Sequence, residues 1–281
     1  MTGLHPDFSG RFAWHRIAAV ARKDAAELVR NPGAILPAFL MVLGALFPGF
    51  LVVVGAPLIA GQSLEDSGDF AEEASWAVDA MPELAGLTGN ALIQAFLFHQ
   101  FALLLLLVPV VAATALATHA VIGEKQSKAL EPLLATPIST TELLAAKTLT
   151  PFLFALGLTW LAVALYVGGI LFAGEPAVWR AVVGPRMLVM FAIVGPLVEL
   201  LTLQVSVIVS SRANDPRSAQ QLTSLLILPI TVVFIAQLMG AFVIDMRALL
   251  LSAAALGLLN AGLLWAGVRV FDRETILTRW R

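Results

Sequence analysis

Hydrophobic residues gather in six long runs, and the residues between the runs are polar or charged. Each run is longer than the roughly 20 apolar residues that an α-helix needs to cross a bilayer. The pattern therefore predicts an all-α membrane protein with a six-helix transmembrane domain over residues 34–271. The predicted helices cover residues 34–60, 91–120, 149–172, 186–210, 222–244 and 248–271. Prolines are expected to bend the first helix, at Pro37, Pro48 and Pro57.

The segment before the first run has the spacing of an amphipathic helix. Over residues 11–30 apolar positions recur three or four residues apart, and charged residues largely occupy the other face. The apolar set is Trp14, Ile17, Ala18, Ala21, Ala25 and Leu28. Residues 1–33 are therefore predicted to form a cytoplasmic tail and a helix in the membrane interface. Two roles stay open for this helix, a brace or partner contact and a plain interfacial anchor.

The longest polar connection between runs, residues 61–90, is acidic. It contains seven acidic residues and neither lysine nor arginine. The acids lack the alternating spacing of a calcium-binding loop, so we expect a solvated acidic cap and no metal site. The other predicted connections are a short outer loop at 173–185, a polar link at 211–221 and a tight outer turn at 245–247.

The distribution of basic residues predicts the orientation of the chain. Of its 17 lysines and arginines, 14 fall on the side of the two termini and only three on the other side. Basic residues accumulate on the cytoplasmic side of membrane proteins. Both termini, the tail 272–281 and the segment 123–147 are therefore expected in the cytoplasm, with the chain in the cell (inner) membrane.

Composition excludes several classes of protein. Hydrophobic residues make up 59% of the chain and charged residues 13%, whereas soluble domains have about 25% charged residues. There is no cysteine, which excludes disulfides and thiolate metal sites. The chain also lacks a phosphate-binding loop and the short motifs of hydrolases, so we expect neither catalytic residues nor ATP hydrolysis on this chain. No basic patch with interleaved aromatic residues indicates nucleic-acid binding.

Residues 123–147, GEKQSKALEPLLATPISTTELLAAK, stand out as a charged segment between two apolar runs. Pro132 is expected to end or bend a first short helix near Glu131. Ser139 and Glu142 have the spacing of a capping box, which predicts that a second helix starts at about Ser139 and continues into the third run. A helix, a break and a helix form a stiff connection between two membrane helices.

This segment resembles the cytoplasmic loop of type 2 ATP-binding-cassette (ABC) permeases. The resemblance implies that the loop docks on a separate ATP-binding subunit, which carries ATP and Mg²⁺, whereas this chain carries no cofactor. By position, the residues implied in ATPase coupling are Glu124, Lys125, Leu130, Glu131, Thr136, Pro137 and Ser139. The family also implies a second permease subunit, identical or different, and favours export. The chain differs from many relatives in its short outer turn between the fifth and sixth runs.

Glu199 is the acid that lies deepest within a predicted span. A carboxylate there costs about 2.5–3.5 kcal/mol on insertion scales, so it should face the bundle interior or a water-filled cavity. Thr202 and Ser206 follow on the same helical face, and Pro196 frees a backbone carbonyl one turn earlier. These three polar residues form a candidate translocation path, although Glu199 serving only to pack against a neighbouring helix is an equal alternative.

Three functions compete at this point. The pattern and the resemblance favour the permease of an ATP-driven transporter. An ATP-independent secondary transporter or membrane enzyme centred on Glu199 is the alternative, although such carriers often have internal repeats and several intramembrane charges. A membrane anchor that recruits a cytoplasmic partner is the third.

Overall fold

The computed structural model describes residues 18, 22–23, 25–26, 30, 32–68, 70–127, 140–212 and 215–270. In this part of the chain the architecture is all-α, and six helices are long and apolar enough to cross a membrane, which confirms the predicted number. The spans are Leu36–Ala60, Gly89–Thr118, Thr148–Ala173, Pro185–Ser210, Arg217–Leu238 and Met246–Trp265. Of the predicted amphipathic helix, Ala18, Arg22, Lys23, Ala25 and Ala26 are described and are helical, and Arg30 is described and lies in a turn. The other residues of 11–30 lie outside the described part.

The helices that form the spans extend beyond them at several ends, and four spans contain a short segment of different helical pitch. The first span comprises Pro32–Phe50, the π-helix Leu51–Gly55 and Ala56–Ala60, and the second Gly89–Ala102, the 3₁₀-helix Leu103–Leu106 and Leu107–Ser127. The third is Thr140–Ala173, and the fourth Pro185–Val189, the π-helix Met190–Val194 and Gly195–Arg212. The fifth comprises Pro216–Thr223, the 3₁₀-helix Ser224–Leu226 and Ile227–Leu238, and the sixth is Met246–Val270.

Each of these four changes of pitch precedes a proline by two or three residues. The π-helices end two residues before Pro57 and Pro196, and the 3₁₀-helices end three residues before Pro109 and Pro229. Proline has no amide hydrogen to donate, and its ring collides with the carbonyl four residues earlier. A wider or tighter turn moves that carbonyl aside, so the span continues across the proline. Pro37 and Pro48, in contrast, lie within one α-helix.

The second span forms the centre of the bundle. In its most apolar stretch 89% of the residues are buried, against 11% in the fifth and sixth spans. It packs against the first, third, fourth and fifth spans, and the sixth span packs on the fourth. The second span is therefore surrounded by protein, whereas the fifth and sixth spans expose a broad apolar surface.

An aromatic cluster joins the first three spans near one end. The rings of Phe50, Phe98 and Tyr166 lie with their centroids 5.5–5.8 Å apart. The Tyr166 hydroxyl donates to the backbone carbonyl of Phe98 at 2.6 Å, so its polar end is satisfied inside the bundle. Gly169 makes room for this packing, because a Cβ atom there would lie only 2.3 Å from the ring of Phe50.

The acidic segment is folded rather than a simple loop. It contains the helices Leu64–Ser67 and Ala71–Ala80 and the 3₁₀-helix Pro82–Leu84, and its buried face packs on the second span. Asn90 links the acidic segment to the connection between the third and fourth spans. Its side chain accepts from the Leu64 amide at 3.2 Å and donates to Glu175 at 2.5 Å. We call this end of the bundle the acidic side, and the opposite end, which holds residues 119–127 and 140–147, the basic side.

Most of the described acids of this segment are exposed, as expected of a solvated cap. Glu65, Asp66, Glu72 and Asp79 are exposed. Asp66 forms a reciprocal cap with Ser63, whose hydroxyl and amide both donate to it and hold the pKa of its carboxyl below the usual 3.8. Among the described residues, no three side chains of the kinds that ligate metals come together.

The predicted bounds of the fifth span are wrong at both ends. Its helix begins at Pro216 and ends at Leu238, whereas the prediction was 222–244. Asp215 caps the start by accepting from the Ser218 amide at 3.1 Å, and Gly240, at φ +71°, follows the end in a left-handed conformation. The polar link predicted at 211–221 is therefore largely helical.

The tight outer turn predicted at 245–247 is also wrong. The connection runs from Met239 to Asp245, and Met246 and Arg247 already belong to the sixth helix. Asp245 caps that helix, because its carboxylate accepts from the Ala248 amide at 2.8 Å. The short outer loop at 173–185 likewise contains a helix, Val178–Val182.

Candidate coupling segment and translocation path

The segment singled out in the sequence lies between two long helices. The helix of the second span ends at Ser127, and the helix of the third span begins at Thr140. Glu124 and Lys125 belong to the last turns of the first of these helices. The other predicted coupling residues, Leu130, Glu131, Thr136, Pro137 and Ser139, lie outside the described residues. Their role stays a prediction.

Both helices continue past the apolar spans toward this segment. The third helix has 34 residues, of which Thr140–Lys147 precede the span and add about 12 Å at 1.5 Å per residue. The second helix continues for residues 119–127 beyond its span, about 14 Å. The expectation that one helix runs without a break from near Ser139 into the third span is confirmed from Thr140 onward. The segment is thus held by two rigid extensions.

The structure places the predicted polar residues of the fourth span on one buried face. Glu199, Thr202 and Ser206 are each at most 1% exposed, and Ser210 continues the row one turn further. These positions follow each other at three or four residues, which keeps them on one side of a helix. The fourth span packs against the second, third and sixth spans, so the row faces the interior of the bundle.

Most of this row lacks hydrogen-bond partners. Thr202 donates to the Val198 carbonyl one turn earlier at 2.8 Å. The two carboxylate oxygens of Glu199 and the hydroxyls of Ser206 and Ser210 find no partner of normal geometry among the described residues, although Glu199 lies near the backbone of Leu156. A buried polar group without a partner costs about 1–3 kcal/mol. The row is therefore suited to meet a mobile polar species such as water, an ion or cargo.

A second polar patch lies on the second span, toward the basic side. Thr114 and Thr118 are buried, and neither hydroxyl has a partner among the described residues. Thr114 lines a cavity of about 330 Å³, together with Arg217, Gln220, Gln221 and Ser224 of the fifth helix. Small-molecule sites are usually clefts of this size. Sequence reasoning missed this patch, although two threonines four residues apart in an apolar run were a readable signal.

Comparison with known protein families agrees with this architecture. The model of a family described as ABC-2 family transporter protein matches residues 18–256, most of the chain. The chain belongs to the ABC-2 transporter family. It is a membrane permease component of an ABC transporter. Comparisons with curated proteins and with solved structures gave no significant match.

In this ABC-2 permease, amide side chains also join the fourth and sixth spans. Gln204 donates to the Asn260 side chain at 2.9 Å, and Asn260 donates to the carbonyls of Leu197 and Leu256 at 2.9 and 2.8 Å. Hydrogen bonds of this kind hold helices together in membranes, where burial of apolar surface contributes little. The contact holds the fourth span, which carries Glu199 on another face, against the sixth span. Sequence reasoning did not find it, because a single asparagine in an apolar run does not identify its partner.

Proposed function

We propose that this permease is the membrane-spanning subunit of an ATP-driven exporter in the cell (inner) membrane, with both termini in the cytoplasm. A separate nucleotide-binding subunit supplies the ATPase, with its ATP and Mg²⁺. A second permease subunit, identical or paired, completes the pathway. In this arrangement the basic side faces the cytoplasm, in keeping with the distribution of lysine and arginine.

The observation that supports the proposal most is the pair of helical extensions around residues 128–139. Closure of an ATP-bound dimer must move membrane helices, and only a rigid element transmits such a movement. The helix from Thr140 to Ala173 is continuous over about 50 Å, with Pro151 inside it. A push at its cytoplasmic end therefore shifts or tilts the whole third span, which packs against the fourth span and its polar row.

The proposed path for cargo follows this polar row. Glu199, Thr202 and Ser206 face the interior, and the cavity beside Thr114 opens between the second and fifth helices on the same, basic side. Cargo from the cytoplasm would enter near this cavity and pass the fourth span. Glu199 then meets either the cargo or an ion that accompanies it.

The test is a pull-down of the tagged chain from membranes of cells that contain its natural partners. The double variant Glu131→Arg, Pro137→Ala is compared with the native chain, and mass spectrometry identifies an ATP-binding subunit. We expect that subunit with the native chain and its loss with the variant. Glu72→Arg is the matched control, because it makes the same charge change at an exposed position on the acidic side. If no ATPase accompanies either chain, the proposal fails.

The buried carboxylate of Glu199 favours a second candidate, a secondary transporter that works without an ATPase. Its two oxygens lack partners, as in a site that binds and releases a proton or a cation. Proteoliposomes that contain only this chain separate the two functions. Uptake of a cation or proton under an imposed gradient, abolished by Glu199→Gln, would support the secondary transporter.

A further inference from the structure

A small cavity on the acidic side brings together polar side chains from three spans. It has a volume of about 20 Å³, enough for one water or one oxygen atom of a larger group. Polar side chains of the second, fourth and fifth spans line it: His99, Arg186 and Gln237. The rest of its wall is apolar and includes Met190 and Leu249. This cavity is separate from the polar row around Glu199 and from the cavity beside Thr114.

Arg186 brings a buried positive charge to this cavity. It is the second residue of the fourth helix, at the acidic-side boundary of the span, and only 6% of it is exposed. No ion pair joins it to an acid among the described residues, although Glu83 and Asp245 are near enough to influence its charge. A buried guanidinium is stable when an oxyanion pairs with its planar array of donors. Glu83 and Asp245 thus act on Arg186 from outside the cavity, and no acid lines the cavity itself.

His99 and Gln237 add hydrogen-bond acceptors. The Nδ1 atom of His99 lies 2.9 Å from the Ala95 carbonyl, which can only accept, so Nδ1 carries the proton and Nε2 of the neutral ring is an acceptor. Nε2 has no partner among the described residues. Gln237 donates to Gln100, and its own side-chain oxygen is likewise unpaired there. A ligand that fits the cavity needs an oxyanion for Arg186 and a hydroxyl or amine hydrogen for these acceptors.

The surroundings of the cavity indicate that its ligand is amphiphilic. Arg186, Gln237 and Leu249 place the cavity near the acidic-side ends of the fourth, fifth and sixth spans, and large apolar side chains within two residues of its lining residues are exposed. These are Val183, Leu188, Phe242 and Leu250. Acyl chains can lie along such a surface while the head group reaches the polar side chains. The anion that membrane lipids carry at this depth is a phosphate.

We propose that a phosphate group that carries a neighbouring hydroxyl or amine binds at the mouth of this cavity, with one of its oxygen atoms inside. The head groups of phosphatidylglycerol and phosphatidylethanolamine have this chemistry, and so does soluble glycerol phosphate. Phosphatidylcholine has the phosphate but no such hydrogen, so it leaves His99 and Gln237 without a partner. The proposal goes beyond ATP-driven transport and does not depend on it, because binding is measured on the permease alone.

Native mass spectrometry of the purified permease tests the proposal. Phosphatidylglycerol, phosphatidylethanolamine and phosphatidylcholine are titrated separately onto the native chain, Arg186→Gln and Arg180→Gln. Arg180 is the matched control, because it lies on the same side of the membrane, exposed and stacked on Trp179 at 5.4 Å. We expect Arg186→Gln to weaken binding of the first two lipids at least ten-fold and Arg180→Gln to leave it unchanged. His99→Phe should reduce the preference for these lipids over phosphatidylcholine.

The outcomes distinguish a lipid head group from a soluble phosphate as the ligand, and some of them would overturn the proposal. Displacement of the lipid by millimolar glycerol phosphate would identify a soluble phosphate as the ligand, and retention would identify the lipid. Equal loss in both arginine variants, or equal binding of all three lipids by the native chain, overturns the proposal and leaves a cavity for one water. If Arg186→Gln does not fold, judged by gel filtration and helical content, Arg186→Lys replaces it. That variant keeps the charge without the planar donors, and affinity equal to the native chain would also overturn the proposal.

Discussion

The acidic-side half of the bundle and its basic-side half are built differently. On the acidic side, three hydrogen bonds link separate elements: Tyr166 donates to the Phe98 backbone carbonyl, Gln237 to the Gln100 side chain, and Asn90 to Glu175 in the connection after the third span. On the basic side, the hydroxyls of Ser206, Ser210, Thr114 and Thr118 have no partner among the described residues, and a cavity of about 330 Å³ lies beside them. Both halves contain a cross-helix bond and unpaired polar atoms, since Gln204 bonds to Asn260 on the basic side and His99 has an unpaired nitrogen on the acidic side, but the bonds are more numerous on the acidic side and the larger cavity lies on the basic side.

This difference fits an exporter at rest. In the proposed exporter, the cross-helix bonds and aromatic packing would keep the acidic side closed, so that cargo does not leak across the membrane. In the same proposal, the unpaired polar groups on the basic side would bind water or cargo that enters from the cytoplasm. Movement of the third span would have to loosen the aromatic cluster before cargo leaves, since Tyr166 belongs to that span.

The largest effect is expected where the closed half is packed most tightly. Tyr166→Ala removes a fully buried ring and should lower the free energy of unfolding by about 3–5 kcal/mol. Tyr166→Phe keeps the ring and loses only the hydrogen bond, so it should cost about 1 kcal/mol. Equilibrium unfolding in mixed detergent micelles measures both variants. Equal costs for the two would show that the hydroxyl, and not the packing, holds this half together.

The second prediction concerns Glu199, at the start of the polar row that runs toward the basic side. Glu199→Leu removes a carboxylate whose placement in a span costs about 2.5–3.5 kcal/mol on insertion scales, so the thermal midpoint should rise or stay unchanged. If Glu199 lies on the path, ATP turnover by the reconstituted permease–ATPase complex should still fall at least ten-fold. Glu199→Gln, which keeps the shape of the side chain, is the control for packing. Native turnover in the leucine variant would assign Glu199 to packing alone.

The smallest effect on stability is expected from substitutions of two buried threonines. The hydroxyl of Thr159 donates to the Ala155 carbonyl at 2.9 Å, whereas that of Thr114 has no partner among the described residues. Thr159→Val should therefore cost about 0.5–1 kcal/mol, and Thr114→Val should be neutral or stabilising. Thermal denaturation of the two variants, prepared in the same detergent, measures the difference. A larger loss for Thr114→Val would reveal a bound water or ligand at that hydroxyl.

The sequence alone was enough for the number of spans, for the helix that continues from Thr140 into the third span, and for the polar face of the fourth span. Bilayer thickness sets the length of an apolar run, and the helical period places Glu199, Thr202 and Ser206 on one side whatever surrounds them. Span length and helical face depend only on residues close together in sequence. Both can therefore be predicted without knowledge of the fold.

Only the tertiary structure decided which polar residues meet. Apolar residues continue past Leu238, so hydropathy extended the fifth span to 244, whereas the helix ends where Gly240 adopts a left-handed conformation. Gln204 with Asn260, and Arg186 with His99 and Gln237, come from different spans, and their pairing depends on how the helices pack and rotate. Hydropathy measures the transfer of each residue from water to lipid. It contains no information on the neighbour that a polar side chain finds across the bundle.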